Sequence, residues 1–144
     1  MAVYTKINKK DIFYINQNFD DVKFLNFKGI KQGIENTNYL LKSKDKKFIL
    51  TIFEKRVSKK EIPFFMKLMD KLNNSKINCP KPLRNRNGNY LLKIKNKTAC
   101  IVSFLNGKDK KILNLKNCRD VGKTIAQMHL ACLLYTSDAA DEED

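Results

Sequence analysis

The sequence predicts an α+β domain, a five-stranded antiparallel sheet with a helix packed on it. Three observations carry this. Short β-prone stretches follow one another across tight-turn signals, which suits antiparallel pairing. A segment of helical apolar spacing separates the first three strands from the last two. The 144 residues, 42% hydrophobic and 31% charged, fit one soluble globular unit.

Asn8, with Asp11 three residues on and then Ile12, Phe13 and Ile15, reads as a capped short helix. Residues 22–30 and 34–41 are β-prone and separated by Lys31-Gln32-Gly33. Lys47 to Phe53 is a dense apolar strand with charge on both sides. Ser58 and Glu61 resemble a capping box. Phe64, Phe65, Leu68, Met69 and Leu72 follow at helical spacing, so a helix is expected over about 60–74, with Pro63 in its first turn. Cys79-Pro80-Lys81-Pro82 is an extended connector. Asn87-Gly88 signals a hairpin turn. Residues 90–94 and 99–105 pair around Lys95-Asn96-Lys97. A last helix is expected over 117–130, with Cys118, Val121, Ile125 and Met128 on one face.

The formal net charge is +14. Lysines fall in almost every segment, which reads as a solvated surface. A basic nucleic-acid-binding domain remains the reading from another class. Such a domain needs exposed aromatics, and Phe13, Phe24, Phe27, Phe48, Phe53, Phe64 and Phe65 occupy core-like positions. The four cysteines form no CxxC pair. With His129 as the only histidine, a Cys/His metal site lacks ligands. No apolar run approaches the roughly 20 residues that cross a membrane, and no secretory signal opens the chain, so a cytoplasmic location is expected.

The C-terminal end differs in character. All 29 basic residues and ten of the 15 acidic ones precede Cys132. From Cys132 the stretch CLLYTSDAADE resembles a translated transposase sequencing adaptor. Residues 132–144 are therefore expected to be a non-native, disordered tail.

Chemistry centres on the segment from Gly29 to Tyr39. Two glycines, Gly29 and Gly33, lie between two strands, where exposed backbone N–H groups can bind phosphate oxygens. The spacing is not that of a Walker loop, and an ordinary glycine hairpin has the same pattern.

FKGIKQGIENTNY, FILTIFEKRV, PFFMKLMDKLN, CPKP, the NGNYL hairpin, ACIVSFLNGK and NCRDVGKTIAQMHL occur in this order. In order and spacing they resemble the homoserine kinase family of the aminoglycoside phosphotransferase- and choline kinase-like superfamily. The resemblance covers Met1 to about Leu130. It implies a protein-kinase-like N-lobe over 1–105, a linker and first C-lobe helix over 106–131, and an N-terminal fragment of a longer enzyme. It also implies ATP and Mg²⁺ as cofactors, L-homoserine as acceptor and a role in threonine biosynthesis. Choline, an aminosugar or a methylated sugar is the alternative acceptor, and neither nucleic acid nor membrane is an expected partner.

By this resemblance Gly29, Gly33, Asn36 and Asn38 shape a nucleotide-covering loop. Ser103 and Phe104 present backbone to adenine, and Lys55 and Arg56 reach phosphate or substrate. Thr51 stands where the wider kinase pattern has a phosphate-pairing lysine, whose helix partner is either Glu61 or Asp70. His129 reads as a structural helix-end residue. The catalytic Asp, the Asn and the Mg²⁺-binding Asp are expected after Leu130, so no catalytic or metal-ligating residue is assigned here.

Overall fold

The first helix is built by its own cap. Asn8 accepts hydrogen bonds from the N–H groups of Lys10 and Asp11 at 2.9 and 3.2 Å, and Asp11 accepts one from the Asn8 N–H at 2.8 Å. This reciprocal pair satisfies donors that a helix start leaves open. Helix α1 (Lys9–Gln17) then buries Ile12 and Ile15. The computed structural model describes residues 3–32, 34–54, 58 and 60–141, with backbone only from residue 134.

Five strands follow: β1 (Asn26–Gly29), β2 (Thr37–Lys42), β3 (Lys47–Ile52), β4 (Leu91–Ile94) and β5 (Lys97–Ser103). They form one antiparallel sheet in the order β1-β2-β3-β5-β4. Alternation sorts their side chains. Tyr39, Leu41, Phe48, Leu50, Ile52, Ala99 and Ile101 face α1 and close the main core with Ile15 and Phe24. The strands are shorter than the β-prone stretches, because residues 22–25 and 34–36 carry the chain into and between strands. The turn joining β4 to β5 is Lys95-Asn96, both at positive φ (49° and 64°), a two-residue hairpin. Asn87-Gly88 instead makes a local turn before β4, with Gly88 at φ 78° and its N–H on the Asn85 carbonyl.

Helix α2 (Ile62–Asn74) packs on the opposite sheet face. The Ser58–Glu61 capping box does not form. Glu61 holds the N-cap position with no side-chain cap, and Pro63 occupies the first turn. The start at Ile62 rotates the buried stripe to Ile62, Met66 and Met69, leaving Phe64 and Phe65 outside, edge-on to each other at 5.7 Å. Phe13 on α1 is exposed as well. Three of the seven phenylalanines expected at core positions are thus exposed, Phe65 at the rim of the space between α2 and the sheet.

Helix α3 (Leu115–Asp141) begins two residues before the expected start. Asn114 and Asn117 exchange side-chain-to-backbone bonds (2.9 and 3.3 Å) that cap it. Its backbone runs across Cys132, where disorder is expected, since Leu and Ala propagate a helix and no Gly or Pro stops it there. Ala131 reaches the α2 end and packs with Leu72 and Ile77. Val121, Ile125 and Leu130 stay exposed. No helix among the described residues is long and apolar enough to cross a membrane.

Candidate functional site

Two rows of side chains define the sheet face that carries α2. Lys28, Leu40, Ile49 and Val102 are register partners in one row; Asn38, Thr51, Cys100 and Leu91 make the next. α2 covers the second row at its Cys100 end. Leu40, Ile49, Thr51 and Val102 are only half-buried. This face is apolar, concave beside α2 and open.

Thr51 donates its hydroxyl proton to Asn38 Oδ1 at 2.8 Å. The position of the expected phosphate-pairing lysine thus holds a neutral cross-strand pair. Asn36 lies two residues earlier. Its Oδ1 accepts from the Glu54 N–H at 3.3 Å and its carbonyl from Asn38 Nδ2 at 3.5 Å. Asn36 and Asn38 therefore lie together at the loop exit. Gly29 sits inside β1, paired with Tyr39, and not in the turn. A Cβ there would come 3.1 Å from Val3 Cγ2, so this glycine makes room for the N-terminal segment. Gly33, Lys55 and Arg56 lie outside the described residues.

The end of β5 has a specific hydrogen-bond state. Phe104 donates its N–H to the Lys47 carbonyl at 3.1 Å, and Phe53 to Thr98 at 2.9 Å. These set which pairs exchange ladder bonds, and the Phe48–Ser103 pair falls between them. The Ser103 N–H turns outward to the Lys81 carbonyl (2.8 Å), while Lys81 N–H takes the Ser103 hydroxyl (2.9 Å). The backbone N–H groups of Ser103 and Phe104 are therefore both used within the lobe. Among the described residues, the Ser103 carbonyl and the Leu105 N–H are left without partners. An acceptor and a donor two residues apart, beside Val102 and Ile49, suit a flat ring with adjacent polar atoms. Leu105, Ile49, Leu40 and Val102 carry no motif of their own, and only strand register reveals them.

Glu54, directly after Phe53, joins the loop to the rest of the lobe. Its Oε1 accepts from the hydroxyls of Thr5 and Thr37, each at 2.7 Å, and its Oε2 pairs with Lys97 Nζ. Burial pushes its carboxyl upward, but the bonds from Lys97, Thr5 and Thr37 and the lysine charge outweigh that and hold it below the usual range.

The two helix acids separate clearly. Asp70 receives Tyr90 Oη at 2.5 Å and Arg84 Nη2 at 3.1 Å, with the Arg84 guanidinium 4.3 Å over the Tyr90 ring. The Tyr90 hydrogen bond, with Arg84 assisting against burial, lowers its carboxyl. Asp70 fastens α2 to the connector and is spent there. Cys100 is buried at the rear of the face, where burial pushes its thiol to about 12. His129 is exposed on α3.

Two hollows adjoin these residues. A cavity of about 300 Å³ lies between α2 and the sheet, lined by Thr51, Met66, Cys100 and Val102. A larger cleft of about 910 Å³ lies at the β2–β3 turn and connector, bordered by Asp20, Lys46, Arg84 and Arg86. Of the residues singled out in the sequence, the larger cleft includes Ser103 and Asp70 and the smaller cavity Thr51, and the smaller one lies on the sheet face that carries Val102 and Thr51.

This sheet order, with a loop between its first strands and a helix after the third, is that of a protein-kinase-like small lobe. The chain belongs to the phosphotransferase enzyme family, whose profile matches residues 26–138. Homoserine kinases from Rhizobium etli (strain CIAT 652) and Allorhizobium ampelinum are 41% and 42% identical to it over 131 residues, covering 91% of this chain and 41% of theirs. The homoserine kinase of Rhodopseudomonas palustris (strain TIE-1) is 40% identical over the same span. The chain thus spans about two fifths of the length of these curated relatives. A spectinomycin phosphotransferase crystallised with ADP and spectinomycin superposes with a TM-score of 0.70 at 14% identity, over 88% of this chain and 39% of that one.

Proposed function

We propose that this chain is the nucleotide-binding lobe of an ATP-dependent homoserine kinase serving threonine biosynthesis. The observation that carries the reading is the identity of about 41% to homoserine kinases across 91% of the chain. The open apolar face is consistent with it. In this reading adenine lies on Leu40, Ile49 and Val102, with the Ser103 carbonyl and Leu105 N–H at its polar edge. The triphosphate runs past Asn38 and Thr51, and the phosphate contacts expected of Lys55 and Arg56 belong to this reading.

The reaction transfers the γ-phosphoryl group. The bond to the β-phosphate bridging oxygen breaks and leaves ADP. A new P–O bond forms to the homoserine hydroxyl oxygen, whose proton passes to a carboxylate base. That base and the Mg²⁺ ligands are assigned to residues of the parent enzyme beyond this chain. Positioning and charge neutralisation supply most of the catalysis, so the chain alone is expected to give no turnover.

The test is ADP release by the full-length protein with L-homoserine, choline and spectinomycin in turn. Homoserine-dependent release is expected. Release that depends only on another acceptor overturns the substrate, and turnover by the 144-residue chain overturns the assignment of the base.

A further inference from the structure

Where the β1–β2 loop is fastened is set by one side chain. Thr37, the first residue after the loop, has its hydroxyl fully enclosed. It accepts from the N–H groups of Tyr4 and Thr5 (3.0 and 3.1 Å) and donates to Glu54 at 2.7 Å. Thr5 donates to the same carboxylate oxygen and accepts from Lys97 at 2.7 Å. Each hydroxyl thus uses its one proton on Glu54. Glu54 also holds Asn36 through its own N–H, and Tyr4 Oη reaches back to the Ile34 carbonyl at 2.8 Å. Four segments meet at this carboxylate: the N-terminal stretch, the loop exit, the end of β3 and the β4–β5 hairpin. All the buried polar side-chain atoms among the described residues have partners, so the network has no slack.

We propose that Glu54 is the positioning residue of the β1–β2 loop, fastening its exit to the N-terminal segment and the β4–β5 hairpin without itself touching a ligand. Its effect on ATP rests on the nucleotide-lobe reading above. The anchoring itself does not.

Hydrogen–deuterium exchange on the purified chain tests the anchor. Glu54→Gln keeps the shape but turns one carboxylate oxygen into a donor facing two donors. Amides over 30–38 are expected to exchange about tenfold faster, with those of α2 unchanged. Thr37→Val, which deletes the shared hydroxyl, is expected to reproduce this. Thr37→Ser, which retains it, is not. In the full-length enzyme, Glu54→Gln is expected to raise the KM for ATP about tenfold, with kcat and the homoserine KM within about twofold. Unchanged loop exchange overturns the proposal in either variant. So does acceleration shared equally by α2, or a fall in kcat at constant ATP KM, because those mark a merely structural role. If the wild-type full-length protein fails to bind ATP, the nucleotide reading falls, and the exchange result still decides the anchor.

Discussion

The two faces of the sheet are drawn from alternating residues of the same strands and end in opposite states. On the α1 face, Leu41, Leu50, Ile52 and Ile101 are fully buried. On the α2 face, Leu40, Ile49 and Val102 remain half-exposed, although they are equally apolar. A closed face converts apolar area into stability. An open face of the same composition keeps that area available for a ligand. Under the proposed nucleotide-lobe reading, folding and binding fall to separate side chains one residue apart.

The sharpest way to break this comparison is substitution at neighbouring positions. Leu50→Ala is expected to cost about 2–5 kcal/mol in denaturant unfolding, because it leaves a cavity among fixed neighbours. Ile49→Ala is expected to cost less than half as much in the same experiment, while weakening ADP binding measured by calorimetry. Equal costs at the two positions would remove the distinction between the faces.

Acid titration sharpens the comparison at the loop base. Glu54 has a folded value lowered from 4.5, so its contribution to stability is present above that value and is lost as pH falls through the lowered one. Urea unfolding of wild type and Glu54→Gln is expected to show a gap at pH 7 that narrows progressively below pH 4.5. A constant gap would mean the charge is not what the network uses. The smallest effect is expected at the exposed rim. Arg84→Ala, which loses a pair to Asp70 from a half-exposed side chain, is expected to change stability by about 1 kcal/mol or less.

The Asn8 capping box, the strand over Lys47–Ile52 and the spacing of the family's segments could all be read from the chain. They depend on residues within a few positions of one another or on alternation along one strand. The site was less legible. Gly29, expected to shape the turn, is the last residue of β1 and makes room for Val3, 26 residues away. The partners that fasten the Ser103 N–H to Lys81 and Asp70 to Tyr90 and Arg84 carry no local signal.

Local sequence determined which segments are helix or strand and which family's motifs the chain carries. Tertiary structure alone decided which apolar face α1 closes and which stays open. It also decided which carboxylate becomes a junction: Glu54 meets partners 17, 43 and 49 residues distant. Propensity and periodicity act over a few residues, whereas burial and hydrogen-bond satisfaction are settled between segments that only the packed fold brings together.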